Sequence, residues 1–307
     1  SGIITERTVY VRLADDAENG ASGDIILTSN GASNVIIPTG SGLVSMDSLF
    51  VAPSGNNANL GSSADSPYAT IDYAISRKIC PSLTINVAAG SYTEDDIRIP
   101  SGSSDIAIVG AGMDLTIFDG DNTNSGFVLD YSNGASNNIT IANMTIRDMK
   151  ANSSEKQGGG IRIERANNVL IEGVKFENCS TSNNNYFYGG GAVAMPDNYS
   201  SVEINGCIFK SNYSNDDGGA IYTRGSLSLK NSLFYDNKSN DDGSAIRDDG
   251  NSTVSNCTFT ENIASGWATI YKYKGSGYIL PGLSTYNNCI FENNSSGSSS
   301  YENFYLI

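Results

Sequence analysis

The sequence predicts an all-β chain wound as a parallel β-helix, a solenoid of short strands, and three observations carry that prediction. First, one phrase recurs from about residue 139 onward: two apolar residues one apart, then Gly or Asn, a small residue, an aromatic, and Asn three places later. Val202–Asn212 and Leu227–Asn237 show it in full, and Val254–Asn262 shows it in part. Second, the Gly/Asn positions recur about every 25–33 residues, a spacing typical of repeat solenoids and too short for propeller blades. Third, a second phrase precedes each copy of the first, as in Gly159–Ile161, Gly190–Val193, Gly218–Ile221, Gly243–Ile246 and Gly266–Thr269.

Each column of the repeat has a physical role. Gly110, Asn143, Gly173, Gly206, Asn231, Asn256 and Asn288 occupy the bend, because Gly and Asn enter the left-handed region at least cost. Apolar residues four and two places earlier, such as Ile139/Ile141 and Leu227/Leu229, face inward on one short strand. Ile146, Phe176, Phe209, Phe234, Phe259 and Phe291 form an inward column after the bend, and Cys207, Cys257 and Cys289 share another. Cys257 and Cys289 fall in neighbouring coils, within disulfide range, although buried thiols behave as small hydrophobes. Cys179, Asn212, Asn237, Asn262 and Asn294 form a further column, and the asparagines should bond coil to coil as an amide ladder. The expected result is roughly eight coils, each advancing about 4.8 Å.

The front of the chain differs. Residues 1–45 contain three strand-like runs, Thr8–Leu13, Asp24–Thr28 and Asn34–Ile37, and are expected to be the closing strands of an Ig-like domain or a cap on the first coil. Residues 46–307 form the β-helix. Ser66–Lys78 reads as an amphipathic helix with Ser66 as N-cap and Pro67 in the first turn, covering the open end of the first coil. Asn303–Ile307 reads as an uncapped apolar strand, so the chain is expected to be part of a larger protein.

Composition narrows function. The 307 residues carry a net charge of −15 with 18 Lys and Arg, so nucleic-acid binding is not expected. No His is present, which removes imidazole metal sites and all His-assisted nucleophiles. Five Cys without a CxxC pair give no zinc ribbon. No apolar run is long enough to span a bilayer as a helix.

Two regions depart from the repeat. Asp216-Asp217 and Asp241-Asp242 lie 25 residues apart, so their turns should stack with carboxylates near one another. Such a cluster raises pKa values or recruits a hard cation, with Ca²⁺ the candidate metal and solvated turns the plainer reading. Tyr186, Phe187 and Tyr188 form an aromatic insertion, read as a binding patch or as local packing. Tyr222, Arg224 and Arg247 lie on outward strand positions, with Arg224 and Asp249 at equivalent places in adjacent coils, and Tyr271 or Lys272 continues this face. Aromatics beside Arg and carboxylates suit a sugar chain laid across the coils, and an ordinary surface ion pair is the plainer alternative.

The stretch Val51–Asn56, Asp65–Ile71 and Val87–Tyr92 resembles the N-terminal signature of secreted bacterial right-handed β-helix proteins of the pectate-lyase-like superfamily. The Gly-Gly-Ala-Ile and Phe-x-x-Asn phrases resemble adhesin-like β-helices and the passenger repeats of polymorphic outer-membrane proteins. The resemblance covers about residues 50–294 and implies a secreted or cell-surface location, with adhesion or polysaccharide processing as the activity. The polygalacturonase-like Gly-His-Gly is impossible without His, and neither the later pectin-methylesterase pattern nor an intact pectate-lyase motif is recognisable. The sequence therefore predicts a chain that binds a polysaccharide or cell-surface glycan, with no catalytic residue assigned. A Ca²⁺-dependent lyase or a glycoside hydrolase using the Asp turns is the alternative.

Overall fold

The computed structural model describes residues 24–27, 35–38, 47–78, 81–129, 134–151, 157–182, 189–273, 284–297 and 302–306. The chain divides into two compact units, Ser1–Met46 and Asp47–Ile307. In the first, Asp24–Leu27 pairs antiparallel with Val35–Pro38. Thr8–Leu13 lies outside the described residues.

The second unit is a right-handed parallel β-helix. Two limbs flank the bend in each repeating coil and build a bent 15-stranded sheet. Two-residue strands from Lys150–Ala151 to Ser295–Ser296 form a second sheet of six, and strands from Ile97–Ile99 to Phe304–Leu306 form a third sheet of eight. All register matches within these three sheets are parallel, and the third sheet counts eight coils.

The bend column adopts the conformation its residues favour. Asn143, Gly173, Gly206, Asn231, Asn256 and Asn288 have φ between 49° and 62°. Gly110 is different. It aligns with this column but is not left-handed, and glycine is required there by close approach, because a Cβ would lie 2.1 Å from the Asn143 carbonyl oxygen.

Behind the bend the aromatic column packs face to face. Ile146, Phe176, Phe209, Phe234, Phe259 and Phe291 are register partners in turn. Ring centroids from Phe176 to Phe291 are 4.5–5.0 Å apart with interplanar angles of 6–18°. The column extends further than the repeat phrase, through Phe118 to Tyr92.

The amide ladder is present and buried. Asn212, Asn237 and Asn262 each donate from Nδ2 to the Oδ1 of the next asparagine at 2.9 Å, ending at Asn294. The same oxygens accept the backbone N–H groups of Asn212, Asn237 and Asn262, and Asn212 Oδ1 accepts that of Cys179. The Nδ2 groups of Asn212, Asn237, Asn262 and Asn294 also donate to the carbonyls of Phe176, Phe209, Phe234 and Phe259. The ladder thereby satisfies backbone groups at a turn that has no room for water.

The helix is shorter than the sequence predicts. It spans Ile71–Ser76, and Thr70, not Ser66, caps it by accepting the Tyr73 N–H at its hydroxyl. The stretch ahead of it has other work: Tyr68 exchanges backbone hydrogen bonds with Phe50 and Ala52 in an extended bridge beside Val51. Glu94 reaches back and accepts the Ile71 and Asp72 N–H groups, satisfying two donors of the first turn. Ile71, Ala74 and Ile75 are buried, and the helix lies against the strands Ser48–Val51, Leu83–Val87 and Ile97–Ile99.

Cys179, Cys207, Cys257 and Cys289 are free thiols. Burial pushes Cys179 and Cys207 up to about 12 and Cys257 up to about 11, so these thiols are unreactive filler. Cys80 lies outside the described residues.

The ladder and bend should separate in stability. Asn237→Ala strands two buried donors of Asn212 on the preceding coil, removes the bond to Asn262 Oδ1 on the next, and should cost about 3 kcal/mol in urea unfolding. Asn231→Gly keeps the left-handed bend at an exposed position and should change stability by about 0.5 kcal/mol or less.

Candidate functional site

The third sheet places one residue per coil in an outward column. Register aligns Arg162, Ala194, Tyr222, Arg247 and Tyr271. The turn ahead of each strand folds over this face. Three residues before each strand start stand Gly158, Gly190, Gly218 and Gly243, all with φ between 62° and 75°. In the next coil Ala268 takes this left-handed place at 55°, one residue closer to its strand. Trp267 thus stands where the two preceding coils have Asp217 and Asp242.

Arg247 is the centre of the site. Its Nη1 lies 2.8 Å from Asp217 Oδ2 and 3.2 Å from Asp242 Oδ2, and its Nε lies 2.6 Å from Asp249 Oδ1. The guanidinium carbon sits 4.4 Å from the Tyr271 ring centroid and 5.4 Å from that of Tyr273. These partners leave Arg247 only 6% exposed. The two Asp turns stack through their carboxylates: Asp217 Oδ1 accepts the Asp242 N–H at 3.0 Å, and Asp242 Oδ1 accepts the Trp267 N–H at 2.9 Å. Each turn is therefore positioned by the carboxylate of the coil before it.

Four aspartates meet at these turns. Asp216, Asp217 and Asp241 have carboxylate oxygens within 4.8 Å of one another. Asp216 and Asp217 are buried, Asp242 is half-buried and Asp241 is exposed. With Asp249 they outnumber the single buried guanidinium, so the face carries an excess of negative charge. Burial pushes Asp217 up to about 7, with Asp216 and Asp242 adding to the rise and Arg247 opposing it. Burial also raises Asp242, against the bond from Trp267. For Arg247, burial pulls downward, and the carboxylates of Asp217, Asp249 and Asp242 more than offset it.

The remaining sequence-derived candidates are placed as follows. Tyr222 faces outward by register but is 1% exposed, and its hydroxyl donates to Asp249 Oδ2 at 3.4 Å. Arg224 is exposed and does not pair with Asp249, whose carboxylate is taken by Arg247 and Tyr222. Instead Arg224 Nη1 donates to the Pro196 carbonyl at 3.4 Å. Arg162 pairs with Glu164 just past the end of its strand. Tyr271, not Lys272, continues the outward column. Tyr186, Phe187 and Tyr188 lie outside the described residues. Trp267 is 39% exposed, its ring 6.1 Å from Tyr271 at 17° between planes, and it carries no role in the sequence-based reading. The signal was available: an aromatic stands where the two preceding copies have Asp.

The profile of the family described as the right-handed β-helix region matches residues 113–305. The chain belongs to that family. A search of curated proteins finds no match. Among solved structures the chain is similar to a rhamnogalacturonan lyase, at 13% identity and a TM-score of 0.38, covering 81% of this chain and 74% of the lyase. It is also similar to ORF18 of Geobacillus virus E2, at 14% identity and a TM-score of 0.35, over 70% of this chain and 52% of that one. The A-module of Azotobacter vinelandii mannuronan C-5 epimerase AlgE4 aligns at 11% identity and a TM-score of 0.16, over 74% of this chain and 89% of the module. Similarities this distant carry no argument about activity. Among the described residues, no helix is long and apolar enough to cross a membrane.

The raised Asp217 has a defined consequence for stability. Between its folded value of about 7 and its ordinary value of 3.8, the folded chain holds a proton that the unfolded chain releases. Its contribution to stability therefore improves as pH falls through 7 toward 4 and is lost as pH rises through 7. Asp217→Asn should flatten that part of the profile of melting temperature against pH, while the Asp242 N–H keeps an acceptor.

Proposed function

We propose that this β-helix binds a glycan chain across the Arg247 face, outside the cell or at its surface, and serves adhesion or polysaccharide binding. The observation that carries this reading is Trp267. A large, half-exposed indole stands beside Tyr271 and the Asp turns, in the place the two preceding coils fill with Asp217 and Asp242. Sugar rings present C–H faces that pack on aromatic planes and hydroxyls that donate to carboxylates, and this face offers both. Buried Tyr222 and Arg247 support the wall from behind.

A bound Ca²⁺ belongs to the same reading. Asp216, Asp217 and Asp241 would hold it through carboxylate oxygens, and hard oxygen donors suit that ion. Gly266 keeps the space beside Asp241 and Asp242 open, since a Cβ there would lie 2.5–2.7 Å from their Oδ1 atoms. Binding of Ca²⁺ would require Asp217 to ionise, so affinity should rise with pH through about 7.

The test is a panel of acidic and neutral polysaccharides, read by isothermal titration and by product assays on the same samples. Binding that falls at least tenfold in Trp267→Ala, with neither unsaturated uronate nor new reducing ends released, is the expected result. Turnover that disappears in Asp217→Asn would replace binding with a lyase or hydrolase using the raised carboxyl. For the metal, Ca²⁺ should raise the melting temperature of the parent protein and leave that of Asp241→Asn unmoved. Equal melting with Ca²⁺ and with chelator would reduce the turns to a structural role.

A further inference from the structure

The interior of the β-helix changes character in its last coils. Earlier inward columns are apolar, but Ser252 follows Leu227 in one, and Tyr286 follows Val254 in another. On the third sheet an inward column runs from Thr223 through Asp248 to Lys272. Asp248 is 0% exposed and Lys272 is 2% exposed. They are register partners on adjacent coils, with Lys272 Nζ 3.3 Å from Asp248 Oδ1.

The surroundings hold both groups in place. Lys272 Nζ donates to the Gly250 carbonyl. Asp248 Oδ1 accepts the Gly250 N–H at 3.0 Å. Asp248 Oδ2 accepts the Ser284 and Tyr286 hydroxyls, each at 2.7 Å. A carboxyl is thus fixed against an amine inside a solenoid wall, with two hydroxyl donors aimed at one of its oxygens. None of these residues belongs to the Arg247 face.

We propose that Lys272 and Asp248 condense to an intramolecular amide, a covalent cross-link between adjacent coils. Transfer of a proton from the ammonium to Oδ1 gives a neutral amine and a neutral acid. The amine lone pair attacks Cγ, forming the Nζ–Cγ bond, and the carbonyl electron pair moves to Oδ2. There the Ser284 and Tyr286 hydroxyls stabilise the oxyanion. A second proton passes from nitrogen to Oδ1, the Cγ–Oδ1 bond breaks, and one water leaves as Oδ2 reforms the carbonyl. One ammonium and one carboxylate give one amide and one water, with no change of oxidation state. Condensation is unfavourable between free groups in water. Here the reactants are held side by side, where effective concentrations can reach the order of 10⁵ M or more, and the product replaces a buried ion pair with a neutral group.

Intact-mass spectrometry of the purified, denatured chain tests the proposal. The parent protein should be lighter than its sequence by one water, and its digest should contain a branched peptide joining Asp248 to Lys272. Lys272→Arg keeps a cation but supplies no attacking amine, and should have the full sequence mass. A parent protein of full mass overturns the proposal whether or not the variant folds. So does a water loss that fragmentation places elsewhere, such as a succinimide at one of the Asp-Gly pairs, or one that persists in Lys272→Arg.

Discussion

The buried asparagine ladder is the constraint on which the coils from Cys179 to Asn294 depend. Each Oδ1 accepts from the backbone and, from Asn237 on, from the side chain of the coil before it, and Nδ2 returns a bond to a carbonyl beside the aromatic column. A slip of one residue would leave several buried polar groups unpartnered at every rung, a loss of about 1–3 kcal/mol for each group. The ladder therefore fixes register, and register decides everything that follows. It puts Phe on Phe, and it brings Asp217 to Asp242 and Asp248 to Lys272. Apolar burial alone would hold the coils together without specifying which residue meets which.

The same register builds two polar clusters with opposite relations to solvent. On the outer side of the third sheet, alternate residues of adjacent coils assemble Arg247 with three carboxylates and two tyrosines, and a partly exposed indole rims the group. On the inner side, buried Asp248 and Lys272 meet half-buried Ser284 and Tyr286. The strand Ile246–Asp248 contributes to both, because successive side chains point to opposite faces. A single three-residue strand thus separates a candidate ligand face from a buried ion pair.

Much of this was legible in the sequence because a repeat prints its own alignment. Bend, aromatic and amide columns could be read by stacking the copies, and Asn231, Phe234 and Asn237 sit where that stacking puts them. The misplaced helix start shows what stacking cannot reveal. Ser66-Pro67 has the chemistry of a helix start, but the backbone of Tyr68 is claimed by the strand around Val51, a contact set by tertiary structure. The site was half legible for a similar reason. The Asp turns stood out as a doubled oddity. The choice of Arg247 over Arg224 as the partner of Asp249 depends on side-chain reach, which the spacing of the copies does not encode.

Ala268 gives the indole a further meaning. An alanine held at φ 55° is disfavoured by about 1–2 kcal/mol relative to its preferred conformations, and the preceding coils avoid that penalty with glycine. Ala268 is fully buried and its backbone is hydrogen-bonded to Ser244, so the turn has no room to relax. The indole is consequently mounted on a rigid pedestal. Whatever meets it must conform to the protein, and selectivity at this face would come from the shape of the arriving molecule.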